Sequence, residues 1–491
     1  MKRSLKVFIF LSLYGITASC SSGGNKKAET NYVVPKSGVI HEHIVGFTDK
    51  NISYALYIPT KISHQPAPGL SAKNAIPTTT QKREGKLNPP PASLRLPVMV
   101  AFDPHGSGLL PVKTYKDLAE KYGFILIGSN NSKNGLSFPE IRSILSSMFT
   151  EIHAVYPVDT TRIYMLGFSG GSRIASIAAG EYGGVKAVIG CGAGLPTGAP
   201  SMGFRFDYFG IAGTADFNMF EMLQLDEPMN QAGIRHFITT FPGPHAWPPV
   251  AVMEEGFQWL ILNAMRDGTL RKDDAVISRI MAGFNQRIAD ANSGNHLIAA
   301  NDDCKEAILF ADGLAPADEF IQQSAAIEQH PEYQKQLAYR AEIMKKETEE
   351  QNLFESALLT KDLSWWKNRV SMMGRKYMKG KNPEDTLMNT RLKAFLSLYC
   401  YSYANAVLVH REYNEAGKAI AVYEVADPPN PEPNYMRAIV LAVRSENDSA
   451  IGQLQIAVSK GFTDKIRIIQ QPEFQSLKSL PAWFDLIKSI Q

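Results

Sequence analysis

The period of apolar and polar positions changes twice along this chain. Val39–Phe47 and Ile52–Ile58 read as a strand pair, joined by the polar turn Thr48-Asp49-Lys50-Asn51. From Leu96 onward, short continuous apolar runs are separated by amphipathic stretches. Pro97–Phe102, Phe124–Gly128, Ile163–Leu166, Lys186–Gly190, Tyr208–Gly213 and His236–Phe241 predict strands. Tyr115–Tyr122, Glu140–Tyr156, the Ala/Ile-rich stretch after Ser169 and Glu254–Arg266 predict helices. Strands alternating with helices, and apolar over their whole length, imply a mostly parallel sheet covered on both faces: an α/β, doubly wound architecture over residues 39–267. After Asp267 the strand pattern stops, and Gly268–Asp274 predicts a boundary. Residues 275–391 read as helices, with runs at Val276–Asn292, Asp302–Ala311, Ala317–Glu328, Tyr333–Leu359 and Asp362–Tyr377. Residues 392–491 read as helical pairs with small residues at regular places: Ala404, Ala416 and Ala419, then Ala438, Ala450, Ala457 and Gly461. Small residues so placed let neighbouring helices stack closely, so an all-α helical-repeat domain is expected to follow the α/β one.

The first residues belong to a different pattern. Lys2, Arg3 and Lys6 precede the short apolar run Val7–Ile16, and Thr17, Ala18 and Ser19 lead to Cys20. The run is too short to span a membrane as a stable helix. It resembles a bacterial lipoprotein signal over residues 1–19, with Thr17 where leucine is usual. That resemblance implies lipidation of Cys20, a lipid anchor to a membrane at the cell envelope, and residues 20–38 as a polar tether. Residues 63–94, with Pro66, Pro68, Pro77 and Pro89–Pro91, read as an exposed loop.

Length and composition narrow the rest. A chain of 491 residues exceeds one usual core, and a net charge of +3 without basic–aromatic interleaving speaks against nucleic acid as a partner. Cys191, Cys304 and Cys400 are too few and too scattered for a disulfide framework. The sequence carries no cluster with metal-ligand spacing and no dinucleotide or phosphate-loop fingerprint, so no metal or cofactor is expected.

What remains is a serine at a sharp turn. Gly167-Phe168-Ser169-Gly170-Gly171 follows an apolar strand and opens a helix. A serine held between strand end and helix start in a strained conformation needs small residues two before and two after it. A serine hydroxyl also needs a histidine to take its proton and a carboxylate to hold the histidine's tautomer. His245, in the loop Pro242-Gly243-Pro244-His245, follows the last strand; Asp216 follows the strand before. Asp207 begins that strand and would face the other edge, while Glu221 and Asp226 read as solvated. Gly170 N–H, at the helix start, is a natural oxyanion donor. A second is expected from the loop after Phe102, through Gly106 or Ser107; His105 is read as bracing that loop, and Asp103 as either a brace or a site-lining group.

The chain order Ser169, Asp216, His245 is that of α/β-hydrolases. Together, GFSGGSR, HGSG, GTAD and GPHAW resemble the esterase branch of that fold, near polyhydroxybutyrate depolymerases, feruloyl esterases and acetylxylan esterases. The resemblance covers Val39 to Arg266. It implies an eight-stranded sheet and a two-step acyl transfer onto Ser169, with an ester as substrate, either a small molecule or a polysaccharide-linked acyl group. A prolyl-oligopeptidase-type peptidase shares the fold and order, although the chain has no room for that family's propeller. Residues 392–491 resemble tetratricopeptide repeats over about two units, which implies a possible protein partner. A membrane-tethered scaffold with a degenerate hydrolase domain is the reading from another class.

Overall fold

The computed structural model describes residues 35–60, 95–196, 199, 203–378 and 382–490. The signal peptide with Cys20, most of the tether and the Pro-rich loop at 63–94 lie outside the described residues. The described residues divide into two compact units, up to Gln334 and from Lys335.

Unit 1 is built on eight strands: β1 (Ile40–Val45), β2 (Ser53–Tyr57), β3 (Leu96–Phe102), β4 (Ile125–Ser129), β5 (Val158–Phe168), β6 (Val185–Cys191), β7 (Asp207–Gly213) and β8 (His236–Phe241). Their order in the sheet is β1-β2-β4-β3-β5-β6-β7-β8. β1 and β2 pair antiparallel, and β2 pairs antiparallel with β4; every other pairing is parallel. β3 and β4 are buried along their whole length, as uninterrupted apolar runs require. All eight strands stand where the apolar runs predict them. This order, with an antiparallel strand at one side of a parallel sheet, is the α/β-hydrolase fold.

Register sets the functional edge. Phe102 pairs with Gly167, Phe168 with Cys191, and Gly213 with Phe241. The C-terminal ends of β3, β5, β6, β7 and β8 are therefore level, and the loops that leave them share one edge of the sheet.

Helices α1 (Leu109–Tyr122) and α6 (Val250–Arg266) cover one face, through Tyr115, Tyr122, Phe257 and Trp259. Helices α2 (Phe138–Val155) and α3 (Gly170–Glu181) cover the other, through Leu145, Ile152, Ile174 and Ala178, and two short helices, α4 (Met219–Leu223) and α5 (Asp226–Gln231), lie between β7 and β8. α1 begins six residues before the expected Tyr115, because Pro111 falls in its first turn, where a missing N–H does no harm. α2 starts on a reciprocal cap: Ser137 Oγ accepts Glu140 N–H, and Glu140 Oε2 accepts Ser137 N–H.

The expected boundary at Gly268–Asp274 is a turn between helices and does not break the packing. Helices α7 (Asp274–Ser293), α8 (Leu297–Ala311) and α9 (Asp318–Glu328) belong to unit 1. Phe310 of α8 packs 6.3 Å from Phe209 of β7 and 5.1 Å from Phe284 of α7, centroid to centroid. Arg266, at the end of α6, donates to the carbonyls of Leu309, Phe310 and Asp312 at the end of α8. These helices extend the apolar core on the α1–α6 face, a contact that a change in local periodicity cannot reveal.

Unit 2 is all helix. It contains most of α10 (Pro331–Ala357), then α11 (Leu363–Met378), α12 (Pro383–Val409), α13 (Tyr413–Ala426), α14 (Glu432–Val443), α15 (Asn447–Ser459), α16 (Lys465–Gln470), a 3-10 helix (Pro472–Ser479) and α17 (Pro481–Ser489). Ala404 and Ala438, Ala416 and Ala450, and Ile420 and Leu454 are each one 34-residue step apart, and all six are fully buried. The corners repeat as well. After α12, α14 and α15 the chain turns through a left-handed residue, Arg411, Ser445 and Gly461 respectively. The next N–H then bonds back into the helix: Glu412 to Val407 O, Glu446 to Leu441 O and Phe462 to Ala457 O. Inside the unit, Arg391 is fully buried against Glu347, with Nη2 2.8 Å from Oε2.

Candidate active site

At the end of β5, the backbone of Ser169 adopts φ 53°, ψ −123°, a conformation that non-glycine residues rarely hold. Its N–H donates to Cys191 O at 2.8 Å, which ties the turn to the end of β6. The flanking glycines are required by contact. A Cβ on Gly167 would lie 2.2 Å from Gly171 O, and one on Gly171 would lie 2.0 Å from Phe102 O. The turn is thus squeezed between its own helix start and the neighbouring strand β3.

The loops after β7 and β8 complete the arrangement. Thr214 N–H donates to Phe241 O and Ala215 N–H to Gly243 O, both at 2.8 Å, so the two loops leave the sheet locked together. Gly213 permits this, since a Cβ there would strike Gly243 O at 2.3 Å. Asp216 then sits fully buried beside His245. His245 Nδ1 lies 2.9 and 2.8 Å from the two carboxylate oxygens of Asp216, and its Nε2 lies 3.0 Å from Ser169 Oγ. An ionised carboxylate can only accept, so Nδ1 carries the proton and donates, which leaves Nε2 to accept from the Ser169 hydroxyl. Asn218 N–H also donates to Asp216 Oδ1, at 2.8 Å. Phe168 and Phe217 pack on the imidazole, at 4.7 and 4.3 Å between ring centroids, and restrict its rotation.

The loop after β6 adds residues that motif reading passed over. Gly192 has φ +62°, and a Cβ on it would press on Phe168, Asp216 and His245 at 2.7–3.2 Å. Asn218 Nδ2 donates to Gly192 O at 2.8 Å, and Ser172 Oγ to Ala193 O at 2.8 Å. Glu221 is not a solvated helix residue as expected: it accepts from Arg173 Nη2 at 2.8 Å and from Gly194 N–H at 3.1 Å. Asp226 is exposed, as expected, with its carboxylate 3.2 Å from His236 Nε2. The only sequence signal for the β6 loop is the glycine at the end of an apolar run, too common to stand out.

The β3 loop is organised differently from expectation. Asp103 is buried, and it is a brace. Its Oδ1 accepts His105 N–H at 2.9 Å and Ser107 N–H at 3.4 Å, and its Oδ2 accepts Trp247 Nε1–H at 2.9 Å. Burial alone would raise the Asp103 pKa, but the bonds from His105 and Trp247 outweigh it and hold the carboxyl below its usual value. The exposed His105 ring is raised by the same carboxylate, and the residue forms an isolated bridge with Lys133. Gly106, at φ +71°, donates its N–H to Asp103 O at 3.1 Å. Both expected second oxyanion donors, Gly106 and Ser107, are thus engaged by Asp103. Gly170 N–H, at the first position of α3, has no acceptor within its own helix. Asp207 stands at the start of β7, at the other edge, paired with Arg235 at 3.0 Å.

Fold and site together define an α/β-hydrolase architecture with a hydrogen-bonded Ser–His–Asp series at the C-terminal edge of the sheet. The chain matches no family model and no curated protein sequence. Among solved structures it is similar to an S-formylglutathione hydrolase from Staphylococcus aureus, with 10% identity, a TM-score of 0.32, and 46% of this chain and 98% of that one covered. It is similar to a ferulic acid esterase at 13% identity and TM-score 0.31, covering 45% and 95%. It is also similar to a dipeptidyl peptidase 4 from Porphyromonas gingivalis, at 12% identity and TM-score 0.32, covering 47% of this chain and 35% of that one. At such identities and scores the likeness says nothing of substrate, and the fold assignment rests on strand order and register.

Proposed function

We propose that this protein is a serine hydrolase that cleaves carboxylic esters through an acyl-enzyme on Ser169. The observation that carries the reading is the continuous series from Ser169 Oγ through His245 to Asp216, built on a strained elbow at the functional edge. In the first step Ser169 Oγ attacks the ester carbonyl while His245 Nε2 takes its proton. The C–O bond to the alcohol then breaks, and that proton leaves with the alcohol. In the second step water attacks the acyl-enzyme, His245 takes a proton from it, and Ser169 recovers its hydrogen as the acid departs. Asp216 holds the tautomer and stabilises the imidazolium.

Acting at the cell envelope on a lipid anchor at Cys20, with a protein partner carried by the helical repeats, completes the proposal. The anchor is supported by the signal-like N-terminus, and the partner by the 34-residue repetition in unit 2.

The test is labelling with a fluorophosphonate probe, followed by a panel of acetyl, feruloyl and alkanoate esters beside peptide amides. Ser169→Ala should abolish labelling and lower ester turnover by about 10⁴–10⁶-fold. Retained turnover in that variant would remove the serine from the chemistry, and faster cleavage of amides than of esters would favour the peptidase reading.

A further inference from the structure

An oxyanion held by Gly170 N–H alone would have one donor, where acyl transfer gains most from a preorganised pair. The two β3-loop donors expected for it are engaged by Asp103: Gly106 N–H donates to Asp103 O at 3.1 Å, and Ser107 N–H to Asp103 Oδ1 at 3.4 Å. Another group does reach the elbow. A Cβ built on Gly170 would meet Asn134 Oδ1 at 1.8 Å, Asn134 Cγ at 2.9 Å and Asn134 Nδ2 at 3.4 Å. All three nearest atoms belong to one carboxamide, and a side chain at position 170 would expel it.

Asn134 comes from the loop after β4, whose backbone is pinned. Its N–H donates to Pro104 O at 2.8 Å, and His105 and Lys133 form an antiparallel bridge. Farther back, Asn130 N–H donates to Ser53 O at 3.0 Å, and Asn131 Oδ1 accepts Ser53 N–H at 2.6 Å. The arm is fixed while its end is exposed to solvent. Among the described residues no hydrogen bond holds the carboxamide itself, so a half-turn about χ2 exchanges its oxygen for its NH₂ at little cost.

We propose that Asn134 is a catalytic residue whose Nδ2 donates to the carbonyl oxygen of the bound ester. As Ser169 Oγ bonds to the carbonyl carbon, the π pair moves onto that oxygen. Gly170 N–H and Asn134 Nδ2–H then hold it between them, and neither gives up its proton. Asn134 takes the place expected for Gly106 or Ser107. This inference rests on the acyl-enzyme reading above.

The experiment is steady-state hydrolysis of p-nitrophenyl acetate by the full chain and by the variants Asn134→Ala, Asn134→Asp and Ser169→Ala. It is paired with the affinity of each for phenylboronic acid, which forms a tetrahedral adduct on the serine and needs no turnover. Asn134→Ala should lose about 10²-fold in kcat with KM within about twofold, the loss seen when one oxyanion donor is removed. Asn134→Asp should lose more, because a carboxylate would face the developing charge. Boronate affinity should fall in the same order, with the melting temperature unchanged. Asn134→Ala within about threefold of the parent, alongside an inactive Ser169→Ala, would overturn the role of Asn134 and leave the serine mechanism standing. So would a rise in KM at constant kcat, equal for both Asn134 variants. Activity retained by Ser169→Ala would instead fail the underlying mechanism.

Discussion

Two buried aspartates follow two strands at the same sheet edge, and they are wired almost alike. Asp216 accepts the N–H two residues on, from Asn218 at 2.8 Å; Asp103 accepts the N–H two residues on, from His105 at 2.9 Å. Each also accepts a ring N–H from the same short segment after β8, Asp216 from His245 and Asp103 from Trp247. The difference is in the ring. Imidazole has a second nitrogen that can accept a proton, and His245 turns it to Ser169. Indole has one nitrogen, donor only, so the Asp103–Trp247 bond ends there. One carboxylate reaches Ser169 through its partner, and the other fastens a loop. Burial and geometry alone would not separate them; the chemistry of the third group does.

Substitution should break this likeness unevenly. Asp216→Asn presents an amide to His245 and favours the wrong tautomer, so turnover should fall by about 10⁴-fold with the fold intact, as steady-state rates and a thermal melt would report. An effect no larger than that of Asp103→Asn would dissolve the distinction. Trp247→Phe removes the indole N–H but keeps an aromatic body. It should lower stability by about 1–2 kcal/mol in urea unfolding and leave kcat within a few-fold, whereas His245→Phe should be inactive.

Two smaller effects concern pH. The Asp103 carboxyl is held below its usual value, so its stabilisation is present above the unfolded value near 3.8 and is lost as pH falls through the depressed folded value. Asp103→Asn should flatten the acid limb of a melting-temperature profile. Asp207, at the opposite edge, has its pKa raised to about 6 by burial, with Arg235 partly offsetting it. A raised value gives the opposite sign. Its contribution is whole below about 3.8 and is lost as pH rises through about 6. Asp207→Asn should therefore remove a loss of stability between pH 4 and 7. Parallel slopes for the two variants would contradict these environments.

Much of this was legible from residue order. The eight apolar runs became eight strands, and Ser169, Asp216 and His245 each followed the strand whose end the fold brings level with the others. Strands announce themselves locally, because a strand buried on both faces must be apolar throughout. The exceptions share a cause. Helices α7–α9 lie past the expected boundary, yet they bury Phe284 and Phe310 in the core of unit 1. Glu221 looked solvated and holds Arg173 and Gly194 instead. Gly106 or Ser107 is expected to turn its N–H toward the oxyanion, and Asp103 engages both. Gly192 and Asn134 carried no motif at all. Apart from the turn at Asp103, each of these depends on which distant group lies opposite, and sequence spacing does not encode that.

By itself, then, the sequence determined the succession of strands and helices, the glycines that a crowded elbow demands, and the order of a serine, an aspartate and a histidine along the chain. Those follow from periodicity, sterics and residue chemistry, which act over a few neighbours. Tertiary structure decided how groups meet at the sheet edge: how His245 reaches Asp216 and Ser169, how Trp247 fastens Asp103, and which side chain comes to lie against Gly170. A side chain can serve only the partner that packing places before it, and at this edge that partner comes from another strand's loop.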